Sequence, residues 1–245
     1  IPLANLMYVF PNALLIIFLP ILTTLYVQKE EKSFLTLYKT ITKWIITFNL
    51  AIFIAFFILR KEILIEAFGQ EYATAATAFI LLSIGNLLYY AALTSNNVLL
   101  TFKKTKFIFL TSAIGASSNI LLNLYMIPKY GFLGAAIVTL ISQIIMTCML
   151  SIKARTLLKA GIFNKEYFKI LFAAIISFAA ALMFSSNVSL HPYLLISLTI
   201  IIVVLVYAAI LNQLHYVNEE EKIVLRFIRE KYNVNLPFIE RFIKR

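Results

Sequence analysis

Residues 107–152 read FIFLTSAIGASSNILLNLYMIPKYGFLGAAIVTLISQIIMTCMLSI, two apolar runs on either side of a Pro-Lys-Tyr-Gly segment at 128–131. Each run contains 21 residues, and an α-helix needs about 20 apolar residues to cross the hydrocarbon core of a bilayer. Strands of membrane barrels are only about ten residues long and alternate in hydrophobicity. This stretch therefore predicts two membrane-spanning helices joined by a tight turn.

The rest of the chain has the same character. Its 245 residues are 62% hydrophobic and 13% charged, with a mean hydropathy of +0.90, which lies outside the range of soluble globular proteins. The sequence predicts an all-α fold, a polytopic membrane helix bundle. Seven transmembrane helices are expected, at residues 3–27, 41–59, 74–101, 107–127, 132–152, 168–186 and 192–214.

The distribution of basic residues predicts the orientation. The chain holds 22 Lys and Arg against 11 Glu, with a net charge of +11. Nineteen of the 22 fall in alternate connections, at the span ends that adjoin them or in the C-terminal tail, and the other connections hold only Arg60, Lys61 and Lys129. Basic connections stay in the cytoplasm. We therefore expect a multi-pass protein of the cytoplasmic membrane with a cytoplasmic C-terminus, whose charges mark topology rather than a nucleic-acid partner.

Both ends of the chain suggest further features. The chain begins with Ile1 rather than Met and has an odd number of predicted spans starting outside, so we expect preceding spans. At the other end, residues 215–245 form a cytoplasmic tail in which Asn218 and Glu221 have the spacing of a helix N-cap box. Two short amphipathic helices on the membrane surface are predicted there. An ordinary solvated tail is the alternative.

Signatures of catalysis and of cofactor binding are missing from the sequence. It contains no phosphate-binding glycine loop, no dinucleotide fingerprint and no His/Cys cluster with metal spacing. All Glu residues lie in connections or at span ends, whereas ion-coupled transporters usually keep an ionisable group inside the membrane. The sequence predicts that the protein is not an enzyme and carries no metal or cofactor.

Neutral polar side chains form stripes on several predicted spans. Amides and hydroxyls in lipid need partners, so these faces look toward other helices or a wet cavity. In the fourth and fifth spans interhelical packing is favoured, for Ser112, Asn119 and Asn123 and for Thr139, Gln143 and Thr147. In the first and third spans both readings stay open, and the candidate cavity-lining residues are Asn5, Tyr8, Asn12, Asn86, Tyr90 and Asn97. Pro11 and Pro20 are either simple kinks or a hinge.

Several segments resemble the C-terminal half of polysaccharide and O-antigen flippases, a polysaccharide-biosynthesis family of the multidrug, oligosaccharidyl-lipid and polysaccharide exporter superfamily. The opening span, with Pro11 and the Leu-Pro-Ile-Leu-Thr segment at 19–23, is similar to the family's eighth helix. The other resembling segments are Phe68-Gly69-Gln70-Glu71-Tyr72, Asn119-Ile120-Leu121-Leu122-Asn123 and Ile127-Pro128-Lys129-Tyr130-Gly131-Phe132-Leu133-Gly134-Ala135-Ala136. We read the last one as structural: Pro128 ends a helix, Gly131 permits the turn, and Gly134 allows close packing.

The resemblance implies an arrangement and a cargo. Family members have two six-helix lobes around a cavity that opens alternately to either side, and two extra C-terminal helices. Residues 1–153 would be most of the second lobe, residues 154–214 the extra pair and residues 215–245 the tail, so that the chain holds helices 8 to 14. The cargo would be a polyprenyl-pyrophosphate-linked oligosaccharide. Related lipid II flippases carry an arginine near the start of the eighth helix, where this chain has Asn5.

Three functions are consistent with these patterns. The first is a flippase for lipid-linked oligosaccharide, whose partners would be the lipid bilayer, that substrate, an N-terminal lobe and possible glycosyltransferases or a polymerase of the same pathway. The second is a cation-coupled drug or metabolite antiporter of the same superfamily, which the lack of a mid-membrane carboxylate disfavours. The third is a non-transporting membrane subunit of a glycan-assembly complex.

Overall fold

A computed structural model of the chain describes residues 2–159, 166–188, 190–214 and 216. Two 3₁₀ helices, Pro2–Tyr8 and Gln70–Ala75, precede α1 and α4. The α-helices in chain order are α1 (Val9–Val27), α2 (Glu31–Ile58), α3 (Arg60–Phe68), α4 (Ala76–Thr101), α5 (Thr105–Leu158), α6 (Glu166–Asn187) and α7 (Pro192–Gln213). No strand occurs among these residues, so the described part of the chain confirms the all-α prediction.

Helix α5 is a hairpin of two membrane-spanning halves. Its 54 residues would extend about 80 Å as one straight helix, far more than the ~30 Å hydrocarbon core. At Gly131 the backbone leaves helical geometry, with φ 56° and ψ −136°, a conformation that essentially only glycine adopts without strain. We name the halves α5a (residues 105–130) and α5b (residues 132–158).

Contacts between the two halves show that they run antiparallel. The Lys153 ammonium lies 5.5 Å from the centroid of the Phe107 ring, and a methyl group on Gly115 would collide with the Met146 thioether. Nearest the turn, a methyl group on Gly134 would meet the main-chain carbonyl of Met126. In each contact the two partners are equally far in sequence from residues 130–131, as expected of antiparallel halves joined there. The predicted turn and the close approach at Gly134 are therefore confirmed.

Counting the two halves of α5 separately gives seven candidate membrane spans in the described residues, the number predicted. Six helices there are long and apolar enough to span a membrane, and most ends lie within a few residues of the predicted limits. Two details were wrong. Helix α2 begins at Glu31 rather than at residue 41. The apolar run marks only the part of a helix that lies in hydrocarbon, and the same helix can continue into water through polar residues. Pro128 does not end α5a, since the chain keeps helical geometry until Gly131.

Helix α2 is the centre of the bundle. One hydrophobic cluster joins it to α1, α4 and α5 around Phe18, Tyr38 and Leu99. A second joins its other end to α4 and the first 3₁₀ helix around Phe56 and Met7. A third, made mainly by α6 and α7, packs on the opposite face of α2. The last two spans, α6 and α7, therefore pack against α2 and do not join the hydrophobic cluster formed with α1, α4 and α5.

The strongly basic connections gather at one end of the bundle. The Phe102 ring, between α4 and α5, lies 4.7 Å from the Tyr26 ring and 5.8 Å from the Phe34 ring, on either side of the α1–α2 connection. Lys153 and Phe107 bring the end of α5b to the same level. This arrangement agrees with the charge pattern in the sequence. Of the predicted amphipathic tail, all but Tyr216 lies outside the described residues.

Candidate functional site

The polar stripes predicted on the first and third spans meet in the structure. The Tyr90 hydroxyl of α4 donates a 3.5 Å hydrogen bond to Asn5 Oδ1 of the first 3₁₀ helix. The rings of Tyr8 and Tyr90 lie 5.3 Å apart between centroids, and the Tyr89 ring follows at 6.1 Å from Tyr90. Asn5, Tyr8 and Tyr90 thus form one cluster of amide and aromatic groups where the first 3₁₀ helix meets the middle of α4.

The two stripes differ in exposure. Asn5 and Tyr8 are exposed and Asn12 is half-buried, with 41% of Tyr8 accessible. Asn86, Tyr90 and Asn97 on α4 are buried. The stripe on the first span is therefore open on one side, and the buried stripe on α4 contacts it from the other side.

Two of the buried amides bind the backbone of the first span. Asn86 Nδ2 donates to the Ala4 carbonyl oxygen at 2.9 Å, and Asn97 Nδ2 donates to the Leu15 carbonyl oxygen at 3.5 Å. Each bond satisfies a polar group that would be costly in lipid. Asn86 and Asn97 thus hold the first span in place, whereas Asn5, Tyr8 and Asn12 remain open to a ligand or to another part of the protein.

Members of the stripes on α5 make one interhelical and two local hydrogen bonds, while the Thr147 hydroxyl oxygen is buried without a hydrogen-bond partner among the described residues. Gln143 Nε2 of α5b donates to Asn86 Oδ1 of α4 at 2.8 Å. On α5a, Asn123 Nδ2 donates to Asn119 Oδ1 at 2.9 Å, one turn away on the same helix. Thr139 donates to the Ala135 carbonyl oxygen at 2.8 Å. Gln143 is the member of these stripes that reaches the candidate site, since it contacts Asn86.

A ladder of hydroxyl groups between α2 and α4 was not foreseen from the sequence. The hydroxyls of Tyr38 and Ser95 lie 2.9 Å apart, and those of Thr42 and Thr94 lie 2.8 Å apart. Thr42 and Tyr38 share a helical face at i and i+4, a signal that could have identified this interface.

A buried ionic cluster was also missed, because Lys43, at the start of the span predicted at 41–59, was counted with the preceding basic connection. Lys43 lies inside α2 with a side chain only 8% exposed, and its ammonium is 3.4 Å from Glu166 Oε2 of α6. Lys169 contacts the other oxygen of Glu166 at 3.0 Å. Lys43 also donates to the main-chain carbonyl oxygen of Tyr216 at 2.7 Å. This cluster lies at the end of the bundle with the basic connections, remote from Asn5 and Tyr8.

The chemistry of the candidate site is neutral. Asn5, Tyr8, Asn12 and Tyr90 offer amide and hydroxyl groups that both donate and accept hydrogen bonds, together with aromatic faces. Among the described residues no group of three or more His, Cys, Asp or Glu side chains could hold a metal ion. The described arrangement is suited to binding a polar, uncharged surface such as that of a sugar.

Comparison with known proteins places this arrangement within a known fold. The structure titled "Lipid II flippase MurJ, inward closed conformation" matches with a TM-score of 0.67 and 21% identity, over 84% of this chain and 44% of that chain. "Uncharacterized membrane protein MJ1068" of Methanocaldococcus jannaschii is 31% identical over 133 residues, 54% of this chain and 26% of the relative. No protein-family model matches the chain.

These matches show the fold of the chain and its location in a membrane. The chain spans less than half the length of either protein. Its helices have the arrangement of part of a flippase fold, which agrees with the fold predicted from the sequence, and the chain is a multi-pass membrane protein. The narrower resemblance to polysaccharide and O-antigen flippases stays a prediction.

Proposed function

We propose that the protein flips a polyprenyl-pyrophosphate-linked oligosaccharide across the cytoplasmic membrane by alternating access, for the export of a polysaccharide or other glycan. The observation that carries this proposal is the match of 84% of the chain, at a TM-score of 0.67, to a structure named as a lipid II flippase. In this proposal the described helices are most of one transport lobe and the last two spans. The protein performs no covalent step.

The neutral cluster supports a sugar as the part of the cargo that this lobe contacts. Asn5 and Tyr8 are exposed on the 3₁₀ helix at the start of the first span, and Tyr90 contacts both from behind. Amide groups match the mixed donors and acceptors of sugar hydroxyls. Aromatic rings pack against the C–H faces of pyranose rings. We assign Asn5, Tyr8 and Asn12 to substrate contact and the buried Asn86, Tyr90 and Asn97 to its support.

The pyrophosphate requires a different partner. A doubly charged group cannot cross hydrocarbon without charged or strongly polar contacts. Related lipid II flippases carry an arginine near the start of the eighth helix, and the matching position of this chain holds Asn5. We propose that the pyrophosphate contacts come from a second lobe, supplied by the rest of a longer chain or by another polypeptide. The basic tail, residues 215–245, lies on the cytoplasmic side in this proposal, where it would meet enzymes of the same pathway.

Reconstitution of the full-length protein in liposomes tests the proposed function. The probe is a polyprenyl-pyrophosphate oligosaccharide with a fluorophore on the sugar, placed in both leaflets, and a membrane-impermeant quencher is then added. We expect quenching to proceed from about half of the fluorescence to nearly all of it only in liposomes that contain the protein. Tyr8→Ala should slow this reaction, whereas Tyr130→Ala, an exposed tyrosine at the α5 turn, should not.

Two other results would replace the proposal. Uptake of a cationic drug driven by a proton or sodium gradient, without flipping of the lipid-linked sugar, would make the protein an antiporter. Neither activity, with correctly folded protein in the liposomes, would favour a non-transporting membrane subunit.

A further inference from the structure

A chain of two amide groups connects three elements of the bundle. Gln143 Nε2 of α5b donates to Asn86 Oδ1 of α4 at 2.8 Å. Asn86 Nδ2 then donates to the Ala4 carbonyl oxygen of the first 3₁₀ helix at 2.9 Å. The direction of this chain is fixed, because a carbonyl oxygen only accepts and the Asn86 amide must therefore turn its oxygen toward Gln143. We call Gln143, Asn86 and the Ala4 carbonyl the amide relay.

The relay depends on a glycine. A methyl group on Gly85 would collide with the Gln143 side-chain amide and would lie 3.4 Å from the Leu140 Cα atom. Gly85 therefore allows α4 and α5b to approach closely, as small residues do between membrane helices. The first atoms met belong to the flexible end of Gln143, so an added methyl group would displace that amide more readily than it would separate the helices.

The segment that the relay holds is intrinsically weak. A 3₁₀ helix has poorer hydrogen-bond geometry than an α-helix and is rarely long, yet residues Pro2–Tyr8 keep it for seven residues. Pro11 has no N–H group for the Met7 carbonyl four residues earlier. A hydrogen bond from outside the segment therefore contributes more to its order than it would to a regular helix.

We infer that Gln143 and Asn86 are positioning residues, which hold the 3₁₀ helix so that Asn5 and Tyr8 face the substrate. Ala4, the acceptor of the relay, directly precedes Asn5 in the chain, and Tyr90, one turn beyond Asn86 on α4, contacts Asn5 and Tyr8 themselves. The substrate contact in this inference rests on the proposed function. The ordering of the 3₁₀ helix by Gln143 does not.

The test separates these two parts by measuring the segment and the transport independently. In full-length protein in which Cys148 and every other native cysteine are replaced by Ser, a spin label at Leu6→Cys reports motion of the 3₁₀ helix, since Leu6 is 51% exposed. Gly85→Ala should increase the mobility of the label. Gly115→Ala is the matched control, because its methyl group meets the flexible Met146 side chain and no amide. A double variant, Gly85→Ala with Gln143→Ala, should match Gln143→Ala alone, because the shortened side chain leaves room for the methyl group.

Transport provides the second readout. We expect Gly85→Ala and Gln143→Ala to raise the half-saturating concentration of the fluorescent lipid-linked oligosaccharide by about two- to tenfold, the range for the loss of one hydrogen bond, with little change in maximal rate. Unchanged label mobility in both variants would overturn the relay. Increased mobility with unchanged half-saturation would overturn its role in positioning the substrate contacts. If the unsubstituted protein does not flip the probe, the proposed function fails, and the spin label still decides whether the relay orders the segment.

Discussion

The Lys43 ammonium lies 2.7 Å from the main-chain carbonyl oxygen of Tyr216 and 3.8 Å from the centroid of the Tyr216 ring. The Tyr216 hydroxyl is in turn 2.7 Å from Thr47 Oγ1, one turn along α2. Glu166 at the start of α6 joins the same cluster through its carboxylate. The central helix therefore holds both the beginning of α6 and the residue that follows α7, at the point where the chain leaves the bundle.

Lys43→Met should destabilise the protein because it leaves Glu166 with one cation fewer and the Tyr216 carbonyl without its ammonium donor. Removing one partner from a buried pair costs about 3–5 kcal/mol, and the lower end applies here since Glu166 keeps Lys169. For a cooperative unit of 245 residues the midpoint of thermal unfolding should fall by about 6–12 °C. The measurement is thermal unfolding in detergent.

Two variants control this prediction. Lys32→Met changes an exposed lysine on the same helix and should leave the midpoint nearly unchanged. The double variant Lys43→Met with Glu166→Gln should lose less than the sum of the two single variants, because neither buried charge then remains unpaired. Additive losses would show that Lys43 and Glu166 do not interact.

Labelling of single cysteines should place the two ends of the α5 hairpin on opposite sides of the membrane. In a background with Cys148 and every other native cysteine replaced by Ser, Lys129→Cys at the turn should react with an impermeant maleimide in intact cells. Lys104→Cys and Lys159→Cys, at the ends of α5, should react only after permeabilisation. Reaction of all three from one side would refute the hairpin, and a reversed pattern would refute the orientation predicted from basic residues.

The limits of most helices could be predicted because the bilayer requires an apolar stretch of a given length, although the start of α2 was not predicted correctly. The turn at Gly131 was predictable for the same reason, since a glycine between two runs of 21 residues supplies the backbone freedom that a reversal needs. Lys43 was misplaced because a basic residue in the sequence indicates the membrane boundary but not whether the helix continues beyond it.

The residues of the candidate site were proposed from the sequence, but their contacts could not be predicted from it. Spacing placed Asn86 and Tyr90 on one face of a helix, whereas the choice between a cavity and a neighbouring helix depends on which elements adjoin that face. Gln143 lies 57 residues from Asn86, and the register between α4 and α5b follows from tertiary packing. Only the structure shows that the α4 amides bind the first span while Asn5 and Tyr8 stay exposed.

Substitution of Gly131 should destabilise the hairpin through backbone strain alone. The residue has φ 56° and ψ −136°, and nothing lies within 4 Å of the position that a Cβ atom would take. Gly131→Ala should cost about 1–3 kcal/mol. Gly131→Asn should cost as much, because asparagine tolerates the left-handed helical region but not this value of ψ. Thermal unfolding of both variants checks the prediction, and full stability of the asparagine variant would contradict this turn geometry.

Tyr8 offers a direct test of sugar recognition at the exposed stripe. The residue is 41% exposed and its ring is supported on one side by the Tyr90 ring at 5.3 Å, which leaves the other side open to a pyranose ring. Tyr8→Phe keeps this face and removes one hydroxyl, and should raise the half-saturating concentration of the lipid-linked oligosaccharide by about two- to tenfold. Tyr8→Ala removes the ring as well and should raise it further.

A comparison of substrates completes this test. If the ring of Tyr8 contacts the sugar, Tyr8→Ala should impair flipping of the oligosaccharide probe more than flipping of a polyprenyl pyrophosphate that carries no sugar. That difference would show that the substitution weakens recognition of the sugar headgroup and does not impair the lobe as a whole. Equal impairment of the two probes would remove Tyr8 from the sugar contact and assign it to the packing between α1 and α4, where its contact with Tyr90 would be its entire role.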